Sequence, residues 1–84
     1  MNIKDFLKEM KTKDKVNIKI KGIINFEIIL NKVEAIEDKD NIWILNKEKK
    51  VLEINKHQIS KIILDKENNI VIKLDQLLEI HITN

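Results

Sequence analysis

Apolar side chains follow two different periods along this chain, and the change falls between Met10 and Val16. Ile3, Phe6, Leu7 and Met10 recur at the spacing of one helical face. Asn2 is placed to cap such a helix, with Asp5 in its first turn and Lys11 near its last, charges that suit the helix dipole. The pattern predicts a short helix over residues 2–11 whose apolar stripe lies against the rest of the fold.

From Val16 the period is two: Val16, Ile18 and Ile20 alternate with Asn17, Lys19 and Lys21, as in a strand with one buried face. Gly22, the single glycine, is the natural hairpin turn because φ > 0 is open to it. Residues 23–30 are apolar on both faces around Asn25 and Glu27, which implies a doubly buried strand or one with a bulge. Asn31 and Lys32 then interrupt, and residues 33–37 read either as a further strand or as a continuation beyond a bend. A polar turn (38–41), a buried strand (42–45), a charged hairpin loop (46–50) and another strand (51–54) follow. Residues 55–58 are so short a polar link before Ile59, Ile62 and Ile63 that a single 3₁₀ turn is expected, the joint by which small SH3-like barrels connect their last two strands. Residues 65–69 turn the chain into a strand over 70–74, and residues 79–83 alternate with Ile80 and Ile82 inward, predicting an extra hairpin or edge strand. No proline interrupts any of these segments.

Composition narrows the function. The 84 residues leave room for one domain with a modest core, and association with further copies would bury apolar surface and remove exposed sheet edges. Without cysteine there is no disulfide, thiolate metal site or cysteine nucleophile, which fits a reducing compartment. The first residues carry no apolar signal region and no run approaches the roughly 18 apolar residues of a membrane span, so a cytoplasmic protein with no membrane partner is expected. The net charge of +2 does not announce a nucleic-acid partner, so any RNA contact has to be local. All sixteen basic residues are lysine, and with the abundant Ile and Asn they match what AT-rich codons produce in any protein.

Residues 36–63, IEDKDNIWILNKEKKVLEINKHQISKII, resemble the Sm-like family, and within it the bacterial Hfq RNA chaperones. In that group a strand ends in Tyr-Lys-His-Ala-Ile-Ser, where this chain has Asn55, Lys56, His57, Gln58, Ile59 and Ser60. Ile36, Glu37, Asp40, Ile44 and Leu45 also fit without a gap, and Phe6-Leu7 resembles the Phe-Leu that opens the family's helix. The resemblance implies a bent five-stranded sheet closed into a barrel, with subunits joined edge to edge in a ring, usually a hexamer, and the Lys-His turns around its pore. There Lys56 would offer a cation and hydrogen-bond donor to uridine-rich RNA, and His57 would bond RNA or hold the turn. Asn55, Gln58, Ile42 and Asp40 complete the implied RNA-binding set, and repetition around a ring multiplies weak contacts. The sequence departs from the family where bases are stacked: its Tyr and Phe correspond here to Asn55 and Ile42, and such stacking contributes about 1 to 3 kcal/mol per base. Residues 22–35 are longer than the family's counterpart and lack its second-strand glycine. From residue 65 onward, extra strands replace the usual disordered tail.

The expected fold is therefore mainly β: one Sm-like domain over 1–84, with a helix at 2–11, a small bent antiparallel SH3-like or Sm-like barrel at 16–64, and an added C-terminal hairpin at 65–84. The expected function is RNA binding by a ring oligomer, of an RNA chaperone or riboregulatory kind. The alternative is an SH3-like protein-interaction or scaffold module without RNA binding. Trp43, between Ile42 and Ile44, reads as barrel packing or a subunit contact more readily than as a stacking platform. Lys11, Lys13, Lys15, Lys19 and Lys21 suggest a phosphate-tracking stripe, although alternation makes Lys19 and Lys21 an ordinary solvated face. His57 with Ser60 lacks a third catalytic group, so no enzyme is expected. Glu79 with His81 lacks metal-ligand spacing and fits an exposed edge strand, so neither metal nor cofactor is expected.

Overall fold

The computed structural model describes residues 1–75 and 77–84. Helix α1 (Ile3–Met10) forms where the stripe predicts, with the Asn2 side chain accepting from the Asp5 N–H at 2.8 Å and Lys11 as C-cap. Phe6 and Met10 are buried, and Ile3 and Leu7 pack beside them against the core. Eight strands follow: β1 (Val16–Lys21), β2 (Phe26–Leu30), β3 (Val33–Glu37), β4 (Asn41–Asn46), β5 (Lys49–Asn55), β6 (Ile59–Leu64), β7 (Ile70–Leu74) and β8 (Glu79–Thr83). A 3₁₀ turn at Lys56–Gln58 joins β5 to β6, as the short polar link requires.

All pairings are antiparallel and make two sheets, a five-stranded one in the order β2-β1-β8-β7-β6 and a three-stranded one in the order β3-β4-β5. Of the two readings left open for residues 33–37, the further strand forms: Asn31 and Lys32, the latter at φ 48°, separate β2, paired with β1, from β3, paired with β4, so the chain changes sheets there. Inward side chains of the two sheets and α1 share one core, in which Phe6, Ile42, Ile44, Ile70, Ile72 and Ile82 are fully buried. Each such side chain contributes about 1.5 to 3 kcal/mol. Among the described residues the barrel is not closed: β5 pairs only with β4 and β6 only with β7.

Four sequence expectations change. The C-terminal hairpin is not an appendage or an edge, since β8 pairs with β1 on one side and β7 on the other and so lies inside the larger sheet. Residues 23–25 lie outside any strand, and Phe26, Glu27, Ile28 and Ile29 are exposed, so the segment is neither doubly buried nor bulged. Gly22 does stand at the hairpin, but without positive φ. Its value there is space, because a Cβ would come within 2.8 Å of Leu78 Cδ1. Positive φ is found instead in later hairpins, above all between β4 and β5, where Lys47 (φ 49°) and Glu48 (φ 69°) both take the left-handed conformation that such two-residue turns require. Finally, Lys13 leaves the lysine stripe. Its buried ammonium donates to the Asn68 carbonyl and the Asn84 side chain, both at 2.7 Å, and ties the start of the chain to the β6–β7 loop.

Candidate nucleic-acid interface

The residues singled out by the resemblance come together around two neighbouring turns. β4 pairs with β5 so that Asn41 stands opposite Asn55, and this sets the 38–41 turn beside the 3₁₀ turn. The Lys56 N–H donates to the Asp40 carbonyl at 2.8 Å and locks the two turns together. Asn55 caps its own turn by accepting from the His57 N–H at 2.9 Å. His57 Nε2 lies 3.7 Å from an Asp40 carboxylate oxygen, and both side chains are largely in solvent. Gln58 is exposed, and its carbonyl accepts from the Asp75 N–H at 2.9 Å. Ile42 does not join them. It points inward at 0% exposure, so it fills the core and offers no surface to a ligand.

Lys56 is not a free cation. Its ammonium lies 2.7 Å from the Glu37 carboxylate and donates to the Asp38 carbonyl, and the side chain is only 19% exposed. Asp38 organises the opposite turn. One carboxylate oxygen accepts from the Asp40 and Asn41 N–H groups, and the other accepts from Trp43 Nε1 at 2.9 Å. Hydrogen bonds from the Trp43 indole and the Asn41 N–H, helped by the Asp40 N–H and the Lys56 charge, hold the Asp38 carboxyl below its ordinary value against the opposing effect of desolvation. Glu37, Asp38 and Asp40 thus surround the lysine with more negative than positive charge, which does not make a phosphate cradle.

Trp43 lies half-buried on the outer face of the three-stranded sheet, anchored by Asp38, with Lys50 Nζ 4.4 Å above its ring. That is a cation–π contact in place of an open stacking face. Ser60 sits at a register irregularity between Ile59 and Lys61, and its hydroxyl donates to the Lys73 carbonyl at 3.1 Å. His81 Nε2 and the Glu79 carboxylate are 2.8 Å apart on the outer face of β8, between Lys21 and Lys73 on its neighbours. Lys19 stands opposite Glu27, which breaks the positive stripe on β1.

Sequence reading missed two features here. Glu37 and Asp38 hold Lys56; the signal was the acidic run IEDKD, which carries opposite charge on the turn that strand pairing brings alongside Lys56. Phe26 is 58% exposed, the most open aromatic side chain, and lines a groove with Gln58, Ile20, Leu74 and Leu78; its signal was the apolar run on both faces of residues 23–30. Among the described residues no three metal-ligating side chains gather, and no helix is long and apolar enough to cross a membrane. Comparison of the chain with family models, curated proteins and solved structures returns no match in any of the three.

Proposed function

We propose that this chain is a cytoplasmic Sm-like RNA-binding subunit that works as a ring, with the turn at residues 55–58 repeated around a central opening. The observation that carries the reading is the state of β5 and β6: among the described residues each pairs with a strand along one side only, and the 3₁₀ turn joins them directly. Open edges on both flanks of one turn suit edge-to-edge assembly, which removes them and repeats the turn at every joint. Because Glu37 already compensates Lys56, contact with RNA rests on the exposed His57 and Gln58 side chains and reads bases by hydrogen bonding. Uridine-rich single strands are the favoured class, bound with a shallow salt dependence because few phosphates are neutralised.

The test is fluorescence anisotropy with short U-rich and A-rich RNA strands across a salt series, together with mass by light scattering. The expected result is a cyclic oligomer that binds the U-rich strand, with affinity lowered several-fold by Gln58→Ala or His57→Ala. An oligomer that binds neither strand removes the RNA function, and a strictly monomeric mass removes the ring. One observation favours a second reading, an SH3-like protein-interaction module without RNA binding: the Lys56–Glu37 ion pair leaves the largely solvent-exposed Asp40 carboxylate beside the turn, a setting that suits a basic peptide better than a phosphate chain. Absence of RNA binding by a folded monomer would support it.

A further inference from the structure

We infer that β2 and the hairpin leading into it form an interface between two copies of this chain, separate from the β5 and β6 edges. β2 pairs with β1 along one side, and among the described residues no strand lies along its other side, so a row of backbone N–H and C=O groups is left open. Other open edges carry the devices that discourage pairing. β5 has Lys49 and Lys50 and a register shift where Leu45 meets Lys50, β6 has Lys61 and an irregularity at Ser60, and β3, whose register is unbroken, has the exposed Glu34 and Glu37. β2 has no lysine, proline or bulge, its register with β1 runs unbroken from Leu30 to Phe26, and its one charge, Glu27, is turned to Asn17 and Lys19 on β1.

The side chains there are the most exposed apolar group on the molecule that is continuous in sequence: Ile23 at 106%, Ile24 at 66%, Phe26 at 58%, Ile29 at 56% and Ile28 at 41%. Phe26 and Ile28, opposite Ile20 and Ile18, share one face of β2, Ile29, opposite Asn17, lies on the other, and Ile23 and Ile24 precede the strand, so exposed apolar side chains flank the open edge on both faces and a strand added along it would set its own side chains beside both rows.

The occupant follows from the charge pattern. Glu27 is the only charged residue between positions 23 and 30, and it is already matched by the Asn17 amide at 2.6 Å and by Lys19 opposite it on β1. A strip with no unmatched charge offers nothing for a charged partner to recognise, whereas an apolar edge is complementary to itself. Antiparallel pairing of β2 with β2 of a second copy has two-fold symmetry, so the contact closes after two copies and buries both edges at once. A register centred on Phe26 or Ile28 keeps the two Glu27 carboxylates from facing each other.

Mass by light scattering at micromolar concentrations tests this on the wild type, Ile29→Lys, Ile24→Lys and, on the β5 edge, Val51→Lys. The wild type is expected to contain an even number of copies. Ile29→Lys, which sets a charge on the open strand, and Ile24→Lys, which lies outside any strand and leaves the fold untouched, should each halve the mass and raise the dimer Kd at least tenfold while circular dichroism is unchanged. Val51→Lys tests the ring joint separately and should leave the β2 pair intact. A monomeric wild type, a mass that both β2 variants leave unchanged, or a mass that grows without limit as concentration rises would each overturn the two-copy interface.

Discussion

Ile28 and Ile82 are the same residue type set against the same neighbour, since both stand opposite Ile18, one on each side of β1. Ile82 is fully buried and Ile28 is 41% exposed. The strand with more apolar residues is the less buried of the two: β2 reads FEIIL with four of its five residues exposed, and β8 reads EIHIT with Ile80 and Ile82 in the core. Burial here follows the alternation of polar and apolar positions and the number of paired neighbours. A strand that alternates has one face committed inward, so it can sit mid-sheet with its polar face in solvent. A strand that is apolar on both faces at a sheet edge, with nothing over its first residues, leaves a surface for something else to cover.

Removing what covers the buried side of that comparison should have the largest effect. Phe6 reaches the core from α1 at 0% exposure, and Phe6→Ala should cost about 3 to 5 kcal/mol in denaturant unfolding. An unchanged midpoint would mean that α1 is not docked. Ile82→Ala should cost about 2 to 5 kcal/mol and Ile28→Ala about 1 kcal/mol, because truncation at the exposed edge leaves little cavity and removes less buried area. Equal costs for the two would collapse the contrast between the sides of β1. Glu48→Gly should act in the opposite direction, gaining about 1 kcal/mol, since glycine takes the left-handed conformation that Glu48 holds at φ 69° without steric penalty. A loss of stability there would show that the Glu48 side chain matters more than its backbone strain.

These positions also mark how far the sequence could be read. The helix with its cap, the strand period from Val16 and the 3₁₀ joint at 56–58 rest on local spacing and turn chemistry, and all three formed. The place of β8 did not follow, because alternation says which face of a strand is inward but not which strands flank it. Nor did the role of Gly22, whose need for space depends on Leu78, distant in sequence. In the candidate site, Asp40 lies beside residues 55–58, residues that the resemblance names together, and it is the β4–β5 register that sets them side by side. The neutralisation of Lys56 by Glu37 was not legible, because it depends on the strand pairing that brings the two turns side by side. Ile42 was misassigned for a related reason, since a strand position says nothing of its face until the register is fixed.

The smallest expected effect concerns the outer face of β8, where an interior strand gains something an edge cannot have. Glu79 stands opposite Lys21 on β1 and Lys73 on β7, with His81 Nε2 2.8 Å from its carboxylate. The hydrogen bond with His81 is the main cause that holds the carboxyl below its ordinary value of 4.5, helped by Lys73, the His81 charge and Lys21 and opposed by desolvation. The folded state therefore favours the ionised form. That contribution is fully present above pH 4.5 and disappears as pH falls through the lower folded-state value, where both folded and unfolded chains are protonated. Asp38 and Asp65 are lowered in the same direction and add to the acid limb of any wild-type curve, so the informative quantity is the difference between wild type and Glu79→Gln. Both carboxylates lie in other turns and cancel in that difference to the extent that distant sites are additive. Measured by urea unfolding between pH 2 and 7, the wild type should exceed Glu79→Gln by a constant margin at neutral pH and converge with it in acid. A margin independent of pH would show that Glu79 acts through packing alone and that its flanking lysines contribute no charge interaction to the interior strand.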